Sequence, residues 1–347
     1  MAIDHPLDLE IGPVLEQMLS GSDLGTALAE RLGDALMEGA LSSTQVGALL
    51  ALWRAKGETI AELVGLVSSM MAHRVRVELG RDAVDTCGTG GDRRGTFNIS
   101  TASAIVVAGA GLPVAKHGNR AASSRCGSAD VLEALGVTVA LPPAGVVACV
   151  QEAGMGFMFA PTYHPSMRHV AAPRSELGIR TVFNILGPLA NPANVPYQAL
   201  GVASPILAER MAHVLCRLGR RRALVFCGPD GMDELGLDGP SLLWTVAGGE
   251  VVKTTVDPVA LGLKPAPSAA LAGGDAATNA ATVRRILDGE KGPMRDVVLL
   301  NSAAALVAGE RAASLEEGLE VARSSLDGRA ALAVLERLIP VSARVAS

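Results

Sequence analysis

The sequence predicts an α/β protein with a small all-helical N-terminal domain and a large α/β domain that has a mainly parallel central sheet. The first observation is a run of apolar residues at helical spacing, which fills the chain up to about His73. The second is a change after Leu79-Gly80 to short apolar segments that alternate with helical patterns, as in parallel sheets. We expect the helical domain to span residues 1–78, joined by helices near 175–195, and the α/β domain to span 79–347.

Length and composition are those of a folded protein with a sizeable core. The chain has 347 residues, of which 49% are hydrophobic and 19% are charged, which excludes disorder as the main state. Acidic residues outnumber basic ones by 35 to 30, and only 3% of the residues are aromatic. Neither the net charge of −5 nor the scarce aromatic side chains suit a nucleic-acid partner, so none is expected.

Cysteine usage and the N-terminus indicate a reducing compartment. The five cysteines are widely spaced without a CxxC pair, which favours neither a disulfide framework nor a zinc site. The N-terminal MAIDHPLDLE lacks the features of a signal peptide, and apolar runs such as Ala104–Ala115 are too short to cross a bilayer. We therefore expect a cytoplasmic protein with no membrane partner.

Helix starts in the N-terminal domain follow from local capping patterns. Asp23 is the predicted N-cap of the first long amphipathic helix. Ser42 with Gln45, and Thr59 with Glu62, match capping boxes ahead of the next two helices. Apolar helix stripes of this kind are typical of a domain that packs and dimerises.

Six short apolar segments are the candidate strands of the α/β domain. They are Ala83–Thr86, Pro113–Lys116, Thr138–Leu141, Gly156–Ala160, Gln198–Val202 and Ala223–Cys227. Ligands of such sheets lie beyond the carboxyl ends of the strands, so the loops after Thr86, Lys116 and Cys227 are the candidate site. Lys264–Ala272 is predicted to be a surface connection.

The first of these loops, Gly88–Asp92, reads GTGGD and precedes a helix that starts near Asn98. Glycine lets backbone N–H groups approach an oxyanion, and a helix N-terminus adds further N–H donors. The loop matches neither a Walker sequence nor GxGxxG, so a plain tight turn is an equal alternative on this observation alone. The helix start carries more small polar side chains than one N-cap needs, which favours a phosphate or metal ligand: Thr96, Asn98, Ser100 and Thr101.

The second loop, Lys116–Ser124, supplies two cations, two hydroxyls and an amide ahead of another helix start at Gly127–Asp130. Lysine and arginine beside hydroxyls suit a polyphosphate, although such a loop alone is more often a solvated surface. Placed parallel to the first loop, it is expected to form the second wall of one anion site. His117 fits two roles equally well on this observation: a ligand contact, or a hydrogen-bonded structural position.

The third loop carries the acidic sequence Asp230–Glu234, DGMDE. Adjacent carboxylates beyond a strand end are the oxygen donors that Mg²⁺ uses alongside substrate phosphates. A loop that caps its own helix is an equal alternative in isolation. Two anion loops at the same sheet edge make a metal site the better interpretation, because Mg²⁺ bridges carboxylate and phosphate.

A further polar segment, Ala160–Asn191, contains Arg174 and Arg180, which are predicted to flank a short helix, and His164 at a turn before Pro165. Arginine suits the bidentate recognition of a carboxylate. Composition alone favours the commoner role of charge on a helix surface.

Taken together, these segments resemble the anthranilate phosphoribosyltransferase family, which shares its fold with the pyrimidine nucleoside phosphorylases. The resemblance covers nearly the whole chain, in the order and spacing of the family. The segments that carry it are GTGGD at Gly88–Asp92, TFNIST at Thr96–Thr101, KHGNR at Lys116–Arg120, GSADVLEALG at Gly127–Gly136, RSELGIRTVFNILGPLANP at Arg174–Pro192, GMDE at Gly231–Glu234 and LLNSAAAL at Leu299–Leu306.

The resemblance implies a reaction and its ligands. The phosphoribosyl group of 5-phosphoribosyl 1-pyrophosphate (PRPP) passes to the amine of anthranilate, in the second step of tryptophan synthesis from chorismate. The cofactor is Mg²⁺, with two ions per subunit, and a homodimer forms through the helical domain. Because the amine is already a neutral nucleophile, no general base is assigned, and the sequence shows no Ser/His/Asp or Cys/His arrangement.

The resemblance also implies roles for particular residues. Those of the PRPP site are Gly88, Gly91, Asp92, Thr96, Asn98, Ile99, Ser100, Thr101, Lys116, His117, Gly118, Asn119, Arg120, Ala121, Ala122, Ser123, Ser124 and Ser128. The anthranilate contacts are Gly88, Asn119 and Arg174. The metal ligands are Ser100, Asp233 and Glu234.

Two alternatives remain at the level of the sequence. A pyrimidine nucleoside phosphorylase of the same fold leaves Arg174 and the Asp233-Glu234 pair without a purpose. A non-enzymatic relative that binds nucleic acid is disfavoured by the net charge of −5.

Overall fold

The computed structural model describes residues 9–121 and 125–346. The helices of this part are α1 Ile11–Leu19, α2 Thr26–Glu38, α3 Ser43–Lys56, α4 Ile60–Ala72, α5 Ile99–Gly109, α6 Ser128–Ala134, α7 Pro143–Ala153, α8 Ala160–Tyr163, α9 Arg168–Leu177, α10 Phe183–Leu186, α11 Pro205–Arg217, α12 Ala276–Leu287, α13 Pro293–Ala308, α14 Leu315–Asp327 and α15 Ala330–Val345. The strands are β1 Val84–Gly88, β2 Val114–Gly118, β3 Met155–Phe159, β4 Tyr197–Gly201, β5 Arg222–Cys227, β6 Ser241–Ala247 and β7 Glu250–Val256. Short 3₁₀ turns cover Pro165–Met167, Gly187–Leu189, Pro229–Gly231 and Ser268–Leu271. No helix within these residues combines the length and the apolar character that a membrane crossing needs.

The chain forms two compact units, and the helical one contains the residues up to Val75 together with Tyr163–Pro192. In it α2 packs on α4, α1 packs on α3, and α9 contacts both α2 and α3. The apolar stripe of α3 is buried and ends at Trp53, which is fully buried. The capping boxes predicted at Ser42 and Thr59 are confirmed, since each side chain accepts a hydrogen bond from the third residue of its helix, which reaches back in return.

The predicted N-cap at Asp23 is wrong. Helix α2 begins at Thr26, after Gly25, whose φ of 60° breaks the helical path. Asp23 Oδ1 instead accepts from Lys56 Nζ at 2.7 Å, and the same ammonium lies 3.0 Å from Glu62 Oε2. This contact comes from a residue far along the chain, which local capping rules do not include.

The second unit contains Arg76–Thr162 and the residues from Ala193 onward, and it is built on one sheet with the strand order β3-β2-β1-β4-β5-β6-β7. Strands β1 to β5 are parallel, and β6 and β7 add an antiparallel edge. The predicted fold class, helices followed by an α/β domain with a mainly parallel sheet, is confirmed.

Two details of the predicted sheet are wrong. Thr138–Leu141 is not a strand, because Thr138 N donates to Ser342 Oγ at 3.0 Å and not to a neighbouring strand. The hairpin of β6 and β7 is absent from the predicted set, although Gly248-Gly249 between two β-branched runs is a hairpin signal.

The order in which strands are added to the sheet reverses between the parallel neighbours β1 and β4. The crossover through α5 leads from β1 to β2 on one side, and the crossover through α11 leads from β4 to β5 on the other. Right-handed crossovers in opposite directions place their helices on opposite faces of a sheet. The carboxyl ends of β1 and β4 therefore form the switch point at which open α/β sheets bind ligands, and Gly88 lies opposite Gly201 there.

Candidate functional site

The acidic segment after β5 lies against the Gly-rich loop after β1. Asp233 Oδ2 accepts a hydrogen bond from Gly90 N at 2.6 Å, and Glu234 Oε1 accepts from Ser100 N at 3.1 Å. Gly90 has a φ of 65°, a backbone conformation that glycine adopts without strain. These bonds join the two carboxylates to the loop and to the first turn of α5.

Two glycines make room for Asp233. A Cβ at Gly88 would lie 2.5 Å from Asp233 Oδ2, and a Cβ at Gly201 would overlap the backbone oxygen of Asp233. The two glycines are partners in the β1–β4 register, so no side chain covers the carboxyl ends of these strands where the acidic segment crosses them. The absence of side chains at these positions fixes how closely the carboxylate approaches the loop.

The carboxylates of the site are crowded. Burial raises the pKa of Asp233, and the charge of Asp92 raises it further. Burial also raises the pKa of Glu234, to which the charge of Asp233 adds, while the ammonium of Lys116 opposes both effects. Asp92 Oδ2 is buried and has no hydrogen-bond partner in the part of the chain that the structure describes. Three acidic side chains with one buried lysine leave an excess of negative charge that a cation would balance.

The donor set fits a hard divalent cation. Asp233, Glu234 and the hydroxyl of Ser100 offer oxygen atoms only, which is the preference of Mg²⁺. Over residues 9–121 and 125–346, no three His, Cys, Asp or Glu side chains form a complete metal cage. An incomplete protein shell is what Mg²⁺ uses when waters and substrate phosphates supply the remaining ligands.

Lys116, one of the two cations predicted for the second loop, is buried and bonded within the chain. Lys116 is 1% exposed, and its Nζ donates to the backbone oxygen of Thr86 and, at 3.2 Å, to Ser100 Oγ. Burial lowers the pKa of this ammonium, and Asp85 and Glu234 are among the acidic groups that oppose the shift. Lys116 lies in the buried part of β2, directly below Ser100 and the backbone of Thr86 that it contacts.

Arg120 is also engaged within the chain. Its Nη1 lies 2.5 Å from Glu133 Oε2 and 3.1 Å from Asp130 Oδ1, and its Nη2 donates to Glu133 Oε1 at 2.8 Å. Asp130 Oδ2 in turn accepts from Ala121 N at 3.0 Å and from Gly127 N at 2.8 Å. Because the guanidinium is half exposed, these pairs are screened by solvent and can be exchanged for an anionic ligand at modest cost.

Asn98 connects the two loops. It occupies the N-cap position of α5, yet its side chain makes no capping bond and donates from Nδ2 to the backbone oxygen of Cys126 at 3.2 Å. Next to it, Thr96 forms an isolated bridge with Ala272. The loops after β1 and β2 are therefore neighbours, as their parallel strands require.

The other predicted PRPP residues differ in exposure. Ile99 and Thr101 are buried in the first turn of α5, and the hydroxyl of Thr101 has no partner among the described residues. Ser128 Oγ donates to the backbone oxygen of Asn119 at 3.3 Å. Gly88 and Gly118 at the ends of β1 and β2, Ala121 in the second loop and Ser128 at the start of α6 are half-buried, whereas Gly91 and Asn119 are exposed. The predicted contacts Ala122, Ser123 and Ser124 lie outside the described residues.

Arg174 belongs to the helical unit, and the expectation that it flanks a helix is wrong. It lies inside α9, whose end at Gly178 leaves Arg180 beyond the helix and exposed. The Arg174 guanidinium lies 5.4 Å from the centre of the Phe183 ring, and burial lowers its pKa. It makes no ion pair with any residue that the structure describes, so its hydrogen-bonding edge is available to a carboxylate.

His164 lies directly before the 3₁₀ turn at Pro165–Met167, and its side chain is buried. The ring is 6% exposed, and its Nε2 lies 2.9 Å from the backbone oxygen of Ala190. Burial lowers the pKa of His164 to about 4, so the imidazole is neutral at pH 7.

Sequence reasoning missed two supporting residues. Asp85 is fully buried and accepts a hydrogen bond from His117 N at 3.2 Å, which ties β2 to β1. Asn301 of α13 exchanges two hydrogen bonds of 3.0 Å with the backbone of Leu235 and so holds the chain next to Glu234. An amide in the otherwise small and apolar LLNSAAAL segment was the signal for Asn301.

Known families match both units. The helical bundle domain of the glycosyl transferase family matches residues 12–74, and its a/b domain matches residues 80–332. The anthranilate phosphoribosyltransferase of Thermomicrobium roseum is 54% identical over 333 residues, which cover 94% of this chain and 96% of that protein.

Solved structures agree with this match. The anthranilate phosphoribosyltransferase of Thermus thermophilus superposes with a TM-score of 0.90 at 43% identity, covering 95% of this chain and 99% of that one. The Saccharomyces cerevisiae enzyme in complex with PRPP and Mg gives a TM-score of 0.89 at 26% identity, covering 98% of this chain and 100% of that one. The chain belongs to the glycosyl transferase family and, within it, to the anthranilate phosphoribosyltransferase family.

Proposed function

We propose that this protein transfers the phosphoribosyl group of PRPP to the amine of anthranilate, which yields N-(5-phosphoribosyl)anthranilate and pyrophosphate in the second step of tryptophan synthesis from chorismate. The observation that carries the proposal is the position of Asp233 and Glu234 against the loop after β1. A relative 54% identical over nearly the whole chain bears the corresponding name. The S. cerevisiae relative was solved with PRPP and Mg, which supports the same donor here.

In this proposal the α/β unit binds the donor. Backbone N–H groups of the Gly-rich loop and the N-terminus of α5 take the phosphate oxygens. Asp233, Glu234 and Ser100 hold Mg²⁺, with two ions per subunit, and the metal neutralises charge on the departing pyrophosphate. The remaining PRPP residues, from Gly88 to Ser128, line this site as the family resemblance implies.

Arg174 and Asn119 recognise the acceptor in the same proposal. A guanidinium without a competing ion pair matches the planar carboxylate of anthranilate. The aniline amine is a neutral nucleophile, so the chain needs to hold it in line with the anomeric carbon more than to remove a proton early. The transition state has oxocarbenium character, as in glycosyl transfers generally.

The assembly and the location follow the resemblance as well. The proposal includes a homodimer formed through the helical unit, a cytoplasmic location, and no nucleic-acid or membrane partner. Size-exclusion chromatography with light scattering measures the subunit number directly.

The activity is tested by following the loss of anthranilate fluorescence. We expect the signal to fall when PRPP and Mg²⁺ are both present, and to stay constant when either is left out. Uridine with inorganic phosphate should give no free uracil, which separates the reaction from phosphorolysis. No fluorescence loss with any divalent metal would overturn the proposal.

A further inference from the structure

A chain of hydrogen bonds links helix α12 to both loops of the donor site. Asn279, in the first turn of α12, is 2% exposed. Its Oδ1 accepts from Gly274 N at 2.7 Å, and its Nδ2 donates to Asn98 Oδ1 at 2.9 Å. Asn98 then donates from Nδ2 to the backbone oxygen of Cys126 at 3.2 Å. Asn279 thus reaches the loop after β1 through Asn98, and it contacts the loop after β2 both through Asn98 and by a hydrogen bond with the Cys126 thiol.

The orientations of the Asn279 and Asn98 side-chain amides in this series of hydrogen bonds are fixed. A backbone N–H can only donate, so Gly274 N determines that the Asn279 oxygen faces it and that the Asn279 NH₂ faces Asn98. The Asn98 oxygen must therefore face Asn279, and its NH₂ must face the carbonyl of Cys126. Each amide end of Asn98 then keeps one further position, a lone pair on oxygen and an N–H on nitrogen.

The backbone next to Asn98 is held by the same part of the chain. Phe97 N donates to the backbone oxygen of Leu271 at 3.1 Å, and Gly273 N donates to the backbone oxygen of Gly95 at 2.8 Å. Gly273 is glycine for a steric reason, because a Cβ there would lie 2.7 Å from Phe97 Cα. The segment Lys264–Ala272, predicted to be a surface connection, and the Gly273 that follows it therefore pack against the residues that precede α5.

Asn98 makes no capping bond although it occupies an N-cap position, where asparagine normally accepts from the second or third N–H of the helix. The Asn98 oxygen instead accepts from Asn279 Nδ2, which lies outside α5, and this bond orients the amide away from its own helix. Without Asn279, the Asn98 amide is free to turn and cap its own helix. Since Ser100 N already donates to Glu234 Oε1, such a turn would occupy the N–H of Thr101, the third residue of α5, at the end of the helix that suits a phosphate.

We propose that Asn279 is a positioning residue of the donor site: it keeps the Asn98 amide turned away from its own helix so that Asn98 and the N-terminus of α5 remain available to PRPP. This inference rests on the proposed function and extends it to α12, for which the family resemblance gives no role.

Steady-state kinetics of Asn279→Ala test the proposal. One lost neutral hydrogen bond to the donor corresponds to a rise of about three- to tenfold in KM for PRPP. The kcat should stay within about twofold of the wild-type value, because the lost contact is made equally in ground and transition states. KM for anthranilate should not change.

The double variant with Asn98→Ala shows whether Asn279 acts through Asn98. We expect each single variant to raise KM for PRPP by a similar factor, and the double variant to exceed Asn98→Ala by less than about twofold. Additive effects would overturn the proposal, because Asn279 would then act on the donor by another route.

Thr282→Ala is the matched control. Thr282 is buried one turn further along α12, and its hydroxyl donates to the backbone oxygen of Thr278 within the helix. A rise of KM for PRPP in this control equal to that of Asn279→Ala would assign the effect to a loosened helix and overturn the proposal. An inactive wild-type protein would contradict the proposed function instead.

If the Asn279→Ala variant does not fold, the same kinetic test is made with Asn279→Asp. A carboxylate keeps the acceptor for Gly274 N but has no hydrogen to donate to Asn98. We expect the same selective rise of KM for PRPP. A wild-type KM in this variant would overturn the proposal.

Discussion

Replacing Gly88 by alanine should damage the proposed metal site without unfolding the protein. The new Cβ would lie 2.5 Å from Asp233 Oδ2 and 3.2 Å from Asp233 Cγ, closer than carbon and oxygen approach in proteins. The nearest atom is a side-chain oxygen, so the carboxylate can turn away and give up its 2.6 Å bond to Gly90 N. A charge-assisted bond of this kind contributes about 1.5–3 kcal/mol, which is about ten- to a hundredfold in an equilibrium constant.

The assay is the Mg²⁺ dependence of the proposed transferase activity. We expect the Mg²⁺ concentration for half-maximal rate to rise by about ten- to a hundredfold in Gly88→Ala. Gly239→Ala is the matched control, since its backbone φ is not in the left-handed region and its new Cβ would meet only Pro229 Cγ at 3.7 Å. Equal Mg²⁺ dependence in the two variants would refute the steric argument at Gly88.

Two further predictions concern the helical unit. Arg174→Ala should raise KM for anthranilate at least about tenfold and leave KM for PRPP unchanged, because a lost bidentate carboxylate contact affects the acceptor alone; exposed Arg180→Ala is the control, and equal effects would contradict the assignment. Folded His164 has a pKa of about 4, below the unfolded value of 6.5, so stability is lost as pH falls from 6.5 towards 4. At pH 5 the loss is about 2 kcal/mol. We expect denaturant midpoints to show that His164→Asn does not lose stability on acidification, whereas the variant His213→Asn, at an exposed position, loses it as the wild type does. A loss of stability in His164→Asn equal to that of the wild type would disprove the role of His164.

Local rules predicted the fold where the interacting residues are close in sequence. The Ser42 capping box joins residues three apart, so the sequence contains the whole interaction. Asp23 failed as an N-cap because its partner, Lys56, becomes a neighbour only after the helices pack. Thr138–Leu141 has the composition of a strand, but a strand also needs a neighbour with free backbone groups, and pattern alone does not supply one.

The general place of the site was predictable for a topological reason. Parallel strands bring their carboxyl ends to one edge, so the loops after β1, β2 and β5 had to meet there. The state of individual charges was not predictable. Lys116 has Ser100 and Glu234 near it only after folding, and Arg120 pairs with Glu133, which is 13 residues along the chain and one loop away. Charge in a loop sequence does not reveal which carboxylates lie within reach.

The crowding of Asp92, Asp233 and Glu234 has a consequence for metal uptake. Burial and the charge of Asp92 raise the pKa of Asp233 to about 7, so a cation bound at this carboxylate below neutral pH would displace a proton. In the proposed site, binding of Mg²⁺ would therefore release a hydrogen ion from Asp233. We therefore expect the apparent Mg²⁺ affinity of the proposed site to fall as the medium becomes more acidic, which would make the pH of the solution one of the variables that set how much of the protein carries metal.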